Sequence, residues 1–340
     1  LGVTLGVISP GTGQMPYPWW HMLIGEVIVG ALALMCPQRV IRAACAVLAL
    51  AVLAFYITPQ AVGTNIIRLE WLAAAPVAVA CGDLRRLRVV RHIPLALPVF
   101  GLLAWPMADF GYQLAVAGEP TTSQTFYQPL IDQLHWRTAT AGPAAAGERV
   151  EVIQSASQWS AAYVAAEFPL ARGWDRQVDR ADNPLFYNDS LTPARYHHWL
   201  SQLAVGWVAL PRRGALDYAA KDEAALVRNH PAYLAQVWHN PDWSLYRVVG
   251  ARPLVRGATV TAIGSDRLTL QTSKAGAARL QLRWSPYLSL LQDGQVVPTC
   301  IKARGPWTTV WLPGPGSYTL AARFSISRGS PASCQTQRSS

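Results

Sequence analysis

Charge is scarce in this chain of 340 residues and leans one way, with 19 Asp and Glu against 29 Lys and Arg and a formal net charge of +10. None of it falls in the segment through Trp20, so no basic region precedes the first apolar stretch. A cleaved signal peptide needs such a region, and apolar stretches recur further on, so that reading fails. A Gly-rich phosphate loop, a nucleophile elbow and a paired-cysteine metal motif are all missing, and no cofactor or metal is implied. The basic residues form no compact stripe interleaved with aromatics. The positive balance therefore points to anionic lipid or an acidic envelope polymer and not to nucleic acid. Cysteine is rare as well, with five in all. Cys36, Cys45 and Cys81 fall in or beside apolar stretches, where single thiols serve as small packing residues. Cys300 and Cys334 stand apart from these in the polar remainder, and in an oxidising space they form a disulfide candidate.

What the sequence does have is an apolar first third, averaged with a polar, Trp-rich remainder to a mean hydropathy of +0.16. The basic run Asp83-Leu84-Arg85-Arg86-Leu87-Arg88-Val89-Val90-Arg91-His92 lies between two apolar stretches. Short loops rich in Lys and Arg stay on the cytoplasmic side, so Ile93 to Phe110 runs outward and everything from Gly111 to Ser340 lies outside the cytoplasm. Read backward, Val62 to Cys81 enters from outside after an uncharged loop. Trp20 to Cys36 and Ala43 to Ile57 flank an inner turn, Pro37 to Ile41, bordered by Arg39 and Arg42. Trp19 and Trp20 fit an outer interfacial belt. The expectation is about four membrane spans over residues 1–110, each at the short end for ~30 Å of hydrocarbon. Four buried helices of a soluble core are the alternative.

A connector is expected over residues 111–148, with a linker composition from Ala139 to Gly147. An extracytoplasmic α/β domain follows over 149–250. Arg149 to Ile153 reads as a strand, Gln158 to Glu167 as a helix, and Thr192-Pro193 starts a helix through Leu203. Val205 to Pro211 reads as a buried strand and Asp217 to Asn229 as a helix. Leu234 to Trp238 and Trp243 to Val248 form a hairpin about Asn240-Pro241-Asp242. From Ala258 the pattern alternates with period two through five short strands, which indicates a β-sandwich over 251–325. A Ser-rich tail occupies 326–340.

This order of elements, with the string Pro169-Leu170-Ala171-Arg172-Gly173-Trp174-Asp175-Arg176-Gln177 and the run Asn183-Pro184-Leu185-Phe186-Tyr187, resembles the C-terminal part of actinobacterial GT-C-like integral membrane proteins. These include proteins described as related to 6-pyruvoyl-tetrahydropterin synthase and the YfhO-type group. The resemblance implies a multi-pass cell-membrane protein related to glycosyltransferases that use a polyprenyl-phosphate sugar on lipid-linked sugar or envelope glycan. It implies no catalytic residue here, because such enzymes carry a catalytic carboxylate in a first outer loop that has no counterpart in this sequence. The expectation is therefore a C-terminal portion, inactive by itself, whose partner is a missing N-terminal membrane segment. The competing expectation is a non-catalytic anchored module that binds glycan or a protein.

Two groups of residues could carry chemistry. Glu26, Arg68 and Glu70 lie in or beside apolar stretches, where ionisable groups are expensive and are functional candidates by default. Their plainer role is a Glu26 to Arg68 pair, or an interfacial position for Arg68 and Glu70. Arg172, Trp174, Asp175, Arg176, Asp179, Asn183 and Tyr187 combine forked donors for phosphate or carboxylate with aromatic faces for a sugar ring. Their plainer role is a salt-bridged loop that locks the α/β domain. His197-His198 lacks a third ligand at metal spacing. Trp136, Trp159, Trp199, Trp284, Trp307 and Trp311 serve either as core or as sugar platforms.

Overall fold

The computed structural model describes residues 13–58, 62–83, 107, 110–142, 147–264, 266–322 and 334. They form two compact units, one of residues 1–118 with 175–184 and the other of 119–174 with 185–340. The first unit is helical. Helix α1 (Trp19–Met35) packs on α2 (Arg39–Ile57) and on α3 (Arg68–Cys81), which continues a 3-10 turn, Gly63–Ile67. Ile28, Val29, Leu32, Cys45 and Ala74 form its small core. The opposite faces are apolar and uncovered: Val27 and Leu34 on α1, Val40, Val47 and Leu50 on α2, Leu72 and Val79 on α3.

Among the described residues two helical stretches are long and apolar enough to cross a membrane, Arg39–Ile57 and Gly63–Cys81. The expected count was four. At 1.5 Å per residue the 17 residues of α1 reach only about 25 Å. Ile93 to Phe110 lies largely outside the described residues, as does nearly all of the basic run before it. Helix α2 starts at Arg39, so the turn before it is shorter than the pattern Pro37 to Ile41 implies.

The second unit has an α/β layer and a two-sheet β portion. In place of a connector, residues 124–141 form helix α4 (Gln124–Ala141), begun at Ser123, whose hydroxyl accepts from the Thr125 N–H. Its Phe126, Tyr127, Leu130, Ile131 and Leu134 are buried against the sheet. Four strands follow in the order β1 (Arg149–Val152), β2 (Val205–Pro211), β4 (Trp243–Val248) and β3 (Leu234–His239), with β1 parallel to β2 and the rest antiparallel. All seven residues of β2 are buried, because both faces of this central strand are covered. Trp207 and Ala209 pack with α4. Val208 and Leu210 pack with α7 (Pro193–Gln202) and α8 (Lys221–Arg228).

The helix expected from Gln158 to Glu167 is only one turn, α5 (Ser160–Tyr163). Helix α6 (Arg176–Asp182) belongs to the first unit. Thr192 caps α7 by accepting from Arg195 N–H, and Pro193 occupies its first turn. The hairpin turns at Asn240, whose Oδ1 accepts from the N–H groups of Asp242 and Trp243.

Among the described residues nine further strands make two sheets. One, in the order β10, β9, β13, β7, β6, contains β6 (Thr259–Ile263), β7 (Arg267–Thr272), β9 (Leu288–Gln292), β10 (Gln295–Val296) and β13 (Gly316–Ala322). The other, β11, β12, β8, β5, contains β5 (Val255–Arg256), β8 (Gly276–Arg283), β11 (Ile301–Arg304) and β12 (Trp307–Leu312). Alternate residues enter one shared core: Leu268 and Leu270 pair across the ladder with Leu320 and Tyr318, and Leu280, Val310 and Leu312 come from the second sheet. Cys300 is joined to Cys334 by a disulfide.

Candidate functional site

The stretch around Arg172 is divided between the two units. Asp175, Arg176, Asp179 and Asn183 belong to the helical unit, where Asp175 caps α6 by accepting from the N–H groups of Gln177 and Val178. Asp179 is buried and accepts from the Asn183 side-chain amide at 2.8 Å. Arg172, Trp174 and Tyr187 belong to the larger unit. Trp174 is exposed, and Tyr187 makes an edge contact with Tyr218.

Arg172 does not line a surface. Its side chain is 1% exposed and donates to Glu223 at 3.1 Å, with Glu151 at 3.8 Å; both carboxylates are fully buried. Its guanidinium lies 3.9 Å from the centre of the Phe186 ring. The Tyr196 hydroxyl donates to the other Glu223 oxygen at 2.8 Å, and burial followed by the Glu223 charge raises this phenol well above its ordinary range. The group therefore ties β1, the segment after it, α7 and α8 together. An open anion-binding role for Arg172 is at odds with this geometry, whereas the locking role fits it.

The helical unit holds the second expected group. Glu70 is 2% exposed and lies against α1 where Gly25 leaves room: a Cβ there would stand 2.7 Å from Glu70 Oε2. Neither Glu70 oxygen has a hydrogen-bond partner among the described residues. Arg68 is exposed at the start of α3, and no ion pair joins it to Glu26 or Glu70 among the described residues. Of the tryptophans, Trp199 is core, while Trp136, Trp159, Trp284 and Trp311 are exposed.

A site that no sequence motif marks lies where the α/β layer meets the two sheets. It is a cleft of about 510 Å³ within the larger unit. The segment after α5 forms one wall, because Val150 N–H donates to Pro169 O at 2.9 Å and Ala171 N–H to Val150 O at 2.9 Å, which holds Phe168 to Leu170 alongside β1. Ile263, Leu282 and Leu288 form the facing wall. Arg149, the first residue of β1, joins the two: its Nη1 donates to Leu203 O at 2.6 Å in the α/β layer and to Gln281 O at 2.7 Å on β8.

No carboxylate pairs with Arg149 among the described residues, and its Nε and Nη2 have no hydrogen-bond partner there. Burial, and then the nearby charge of Arg283, push its guanidinium down to about 10. Arg283 closes the same cleft at the end of β8 and stands over the Trp307 ring at 5.8 Å. At the rim Arg267 forks onto Asp266, at 2.9 and 3.2 Å. Arg149 reads in the sequence as an ordinary strand opener beside Glu151; only the fold brings it next to residue 283.

Residues 256–338 match the model of a family described as a domain of unknown function, DUF8823. The match covers the two-sheet portion from the end of β5 onward, and so includes Arg283 but not Arg149. No curated protein and no solved structure matches the chain.

Proposed function

We propose that the chain is a membrane-anchored, extracytoplasmic binding module of the cell envelope, with its ligand held in the larger unit. The observation that carries this reading is the contrast between the units. The uncovered faces of α1, α2 and α3 are apolar along their length, as lipid contact requires and as water disfavours. The larger unit instead has closed cores, a disulfide and a cleft with an unneutralised guanidinium, all suited to an oxidising aqueous space. Ile93 to Phe110 supplies a further crossing in this reading, and the run from Arg85 to Arg91 remains inside. The module acts on an acidic envelope component, a lipid-linked sugar or glycan of the kind that the GT-C-like resemblance implies, and contributes binding without a catalytic carboxylate of its own.

Sidedness tests it. In a cysteine-free background, Leu87→Cys should react with an impermeant thiol reagent only after the cells are opened, and Ser265→Cys should react in intact cells. Labelling of Leu87→Cys from outside would overturn the orientation.

A further inference from the structure

The cleft between the α/β layer and the two sheets joins two chemistries that usually stand apart. Its walls are mainly apolar, contributed by Phe168 and Leu170 on one side and Ile263, Leu282 and Leu288 on the other; the carboxylates of Glu167 and Asp266 also line it, the first beside His135 and the second held by Arg267. At one place, however, it holds the Arg149 guanidinium, fixed by two backbone carbonyls through Nη1 and lacking any carboxylate among the described residues, with the charge of Arg283 close by. The guanidinium is half-buried and has no carboxylate partner among the described residues, so its Nε and Nη2 are available to an anion, which gains a charge-assisted pair there. Sugar or inorganic phosphate would satisfy the guanidinium but leave the apolar walls wet, whereas a neutral lipid would do the reverse. A volume of about 510 Å³ is within the range of small-molecule sites.

We propose that this cleft binds an amphiphile with a single anionic head, the head on Nε and Nη2 of Arg149 beside Arg283 and the chain along the Phe168–Leu170 wall. Each methylene withdrawn from water there should tighten binding about fourfold until the cleft is full. The shared chemistry is an acidic head on one chain, supplied either by a phosphorylated lipid or by a free fatty carboxylate. The proposal rests on the binding-module reading only for where the ligand comes from: a failed sidedness test leaves the cleft intact, and a failed ligand test leaves the anchor intact.

The test uses the full chain in neutral detergent and native mass spectrometry, with decyl phosphate, decanoate, decanol and inorganic phosphate as separate probes. One decyl phosphate or one decanoate should be retained per chain, at least tenfold more strongly than decanol or inorganic phosphate. Retention of only one acidic probe identifies the head. Arg283→Gln should reduce retention at least tenfold, because it removes a cation that lines the cleft beside Arg149. Ala165→Phe, which fills the cleft from its wall, should do so independently. Equal retention of decanol would overturn the anionic part, and equal retention of inorganic phosphate the apolar part. Failure to retain either acidic probe, or retention unchanged in both variants, would overturn the site.

Discussion

Arg172 and Arg149 are the same residue type at the two ends of one segment, and their surroundings give them opposite roles. Arg172 is enclosed by Glu223, Glu151 and the Phe186 ring, so removing it leaves two carboxylates buried without their cation. Arg172→Met should lower the stability of the larger unit by about 3 to 5 kcal/mol, measured by urea unfolding. Tyr196 adds a pH dependence to the same group. Its folded pKa lies above the unfolded value, so its contribution is complete below the ordinary phenol value of about 10. Above that value the unfolded chain loses the proton first, and stability falls as the pH rises toward the folded pKa, by about 1.4 kcal/mol per pH unit for one such group. Tyr196→Phe should lower stability at pH 8, where it loses a hydrogen bond to a buried charge, yet flatten the decline between pH 10 and 11. An equally steep decline in the variant would assign the effect to other tyrosines.

At the scale of elements, β2 shows how a short apolar run becomes the centre of a layer. Its neighbours β1 and β4 complete its ladder, and helices cover both faces, so no position on it tolerates a polar side chain without a partner. Gly206 is the position that admits ions. Glu148 and Arg247 form a two-pronged pair across it, with the second contact Arg247 Nη2 to Glu148 Oε1 at 2.7 Å, and Arg247 also lies 4.7 Å from the Trp207 ring centre. A Cβ at Gly206 would collide with Glu148 Oε2. Gly206→Ala should therefore cost about 1 to 3 kcal/mol by crowding the pair. Much of that crowding should vanish in a Glu148→Ala background, since the two changes share one contact. Additive costs in the double variant would mean that the methyl group clashes elsewhere.

At the scale of the whole molecule, the larger unit is tied together twice, by Arg149 between its layers and by the bond from Cys300 to Cys334 across 34 residues. Closing a loop of that length restricts the unfolded chain and stabilises the fold by about 3 to 4 kcal/mol on the loop-entropy estimate. The Cys300→Ser, Cys334→Ser double variant should melt lower by a corresponding amount. Reducing agent should lower the wild-type melting temperature and leave the variant's unchanged. A melting temperature unaffected by the double change would show that the bond constrains nothing the fold depends on.

The sequence by itself determined the local elements, because their signals are local. Period-two alternation marked β7, β12 and β13, Thr192-Pro193 marked the start of α7, and Asn240 marked the hairpin, each through a backbone preference or capping bond made within a few residues. It also singled out the pair Cys300 and Cys334. It misjudged residues 124–141, whose polar face and internal Pro129 hide a helix stabilised by packing on the sheet and not by propensity. Only the tertiary structure decided the roles of the charged groups. Arg172 and Glu223 are 51 residues apart, and Arg149 meets a carbonyl 132 residues away. Whether a guanidinium is neutralised inside a core or left facing a cleft depends on which distant groups desolvate it and which accept its hydrogen bonds. That is fixed by long-range packing and leaves no mark in local spacing.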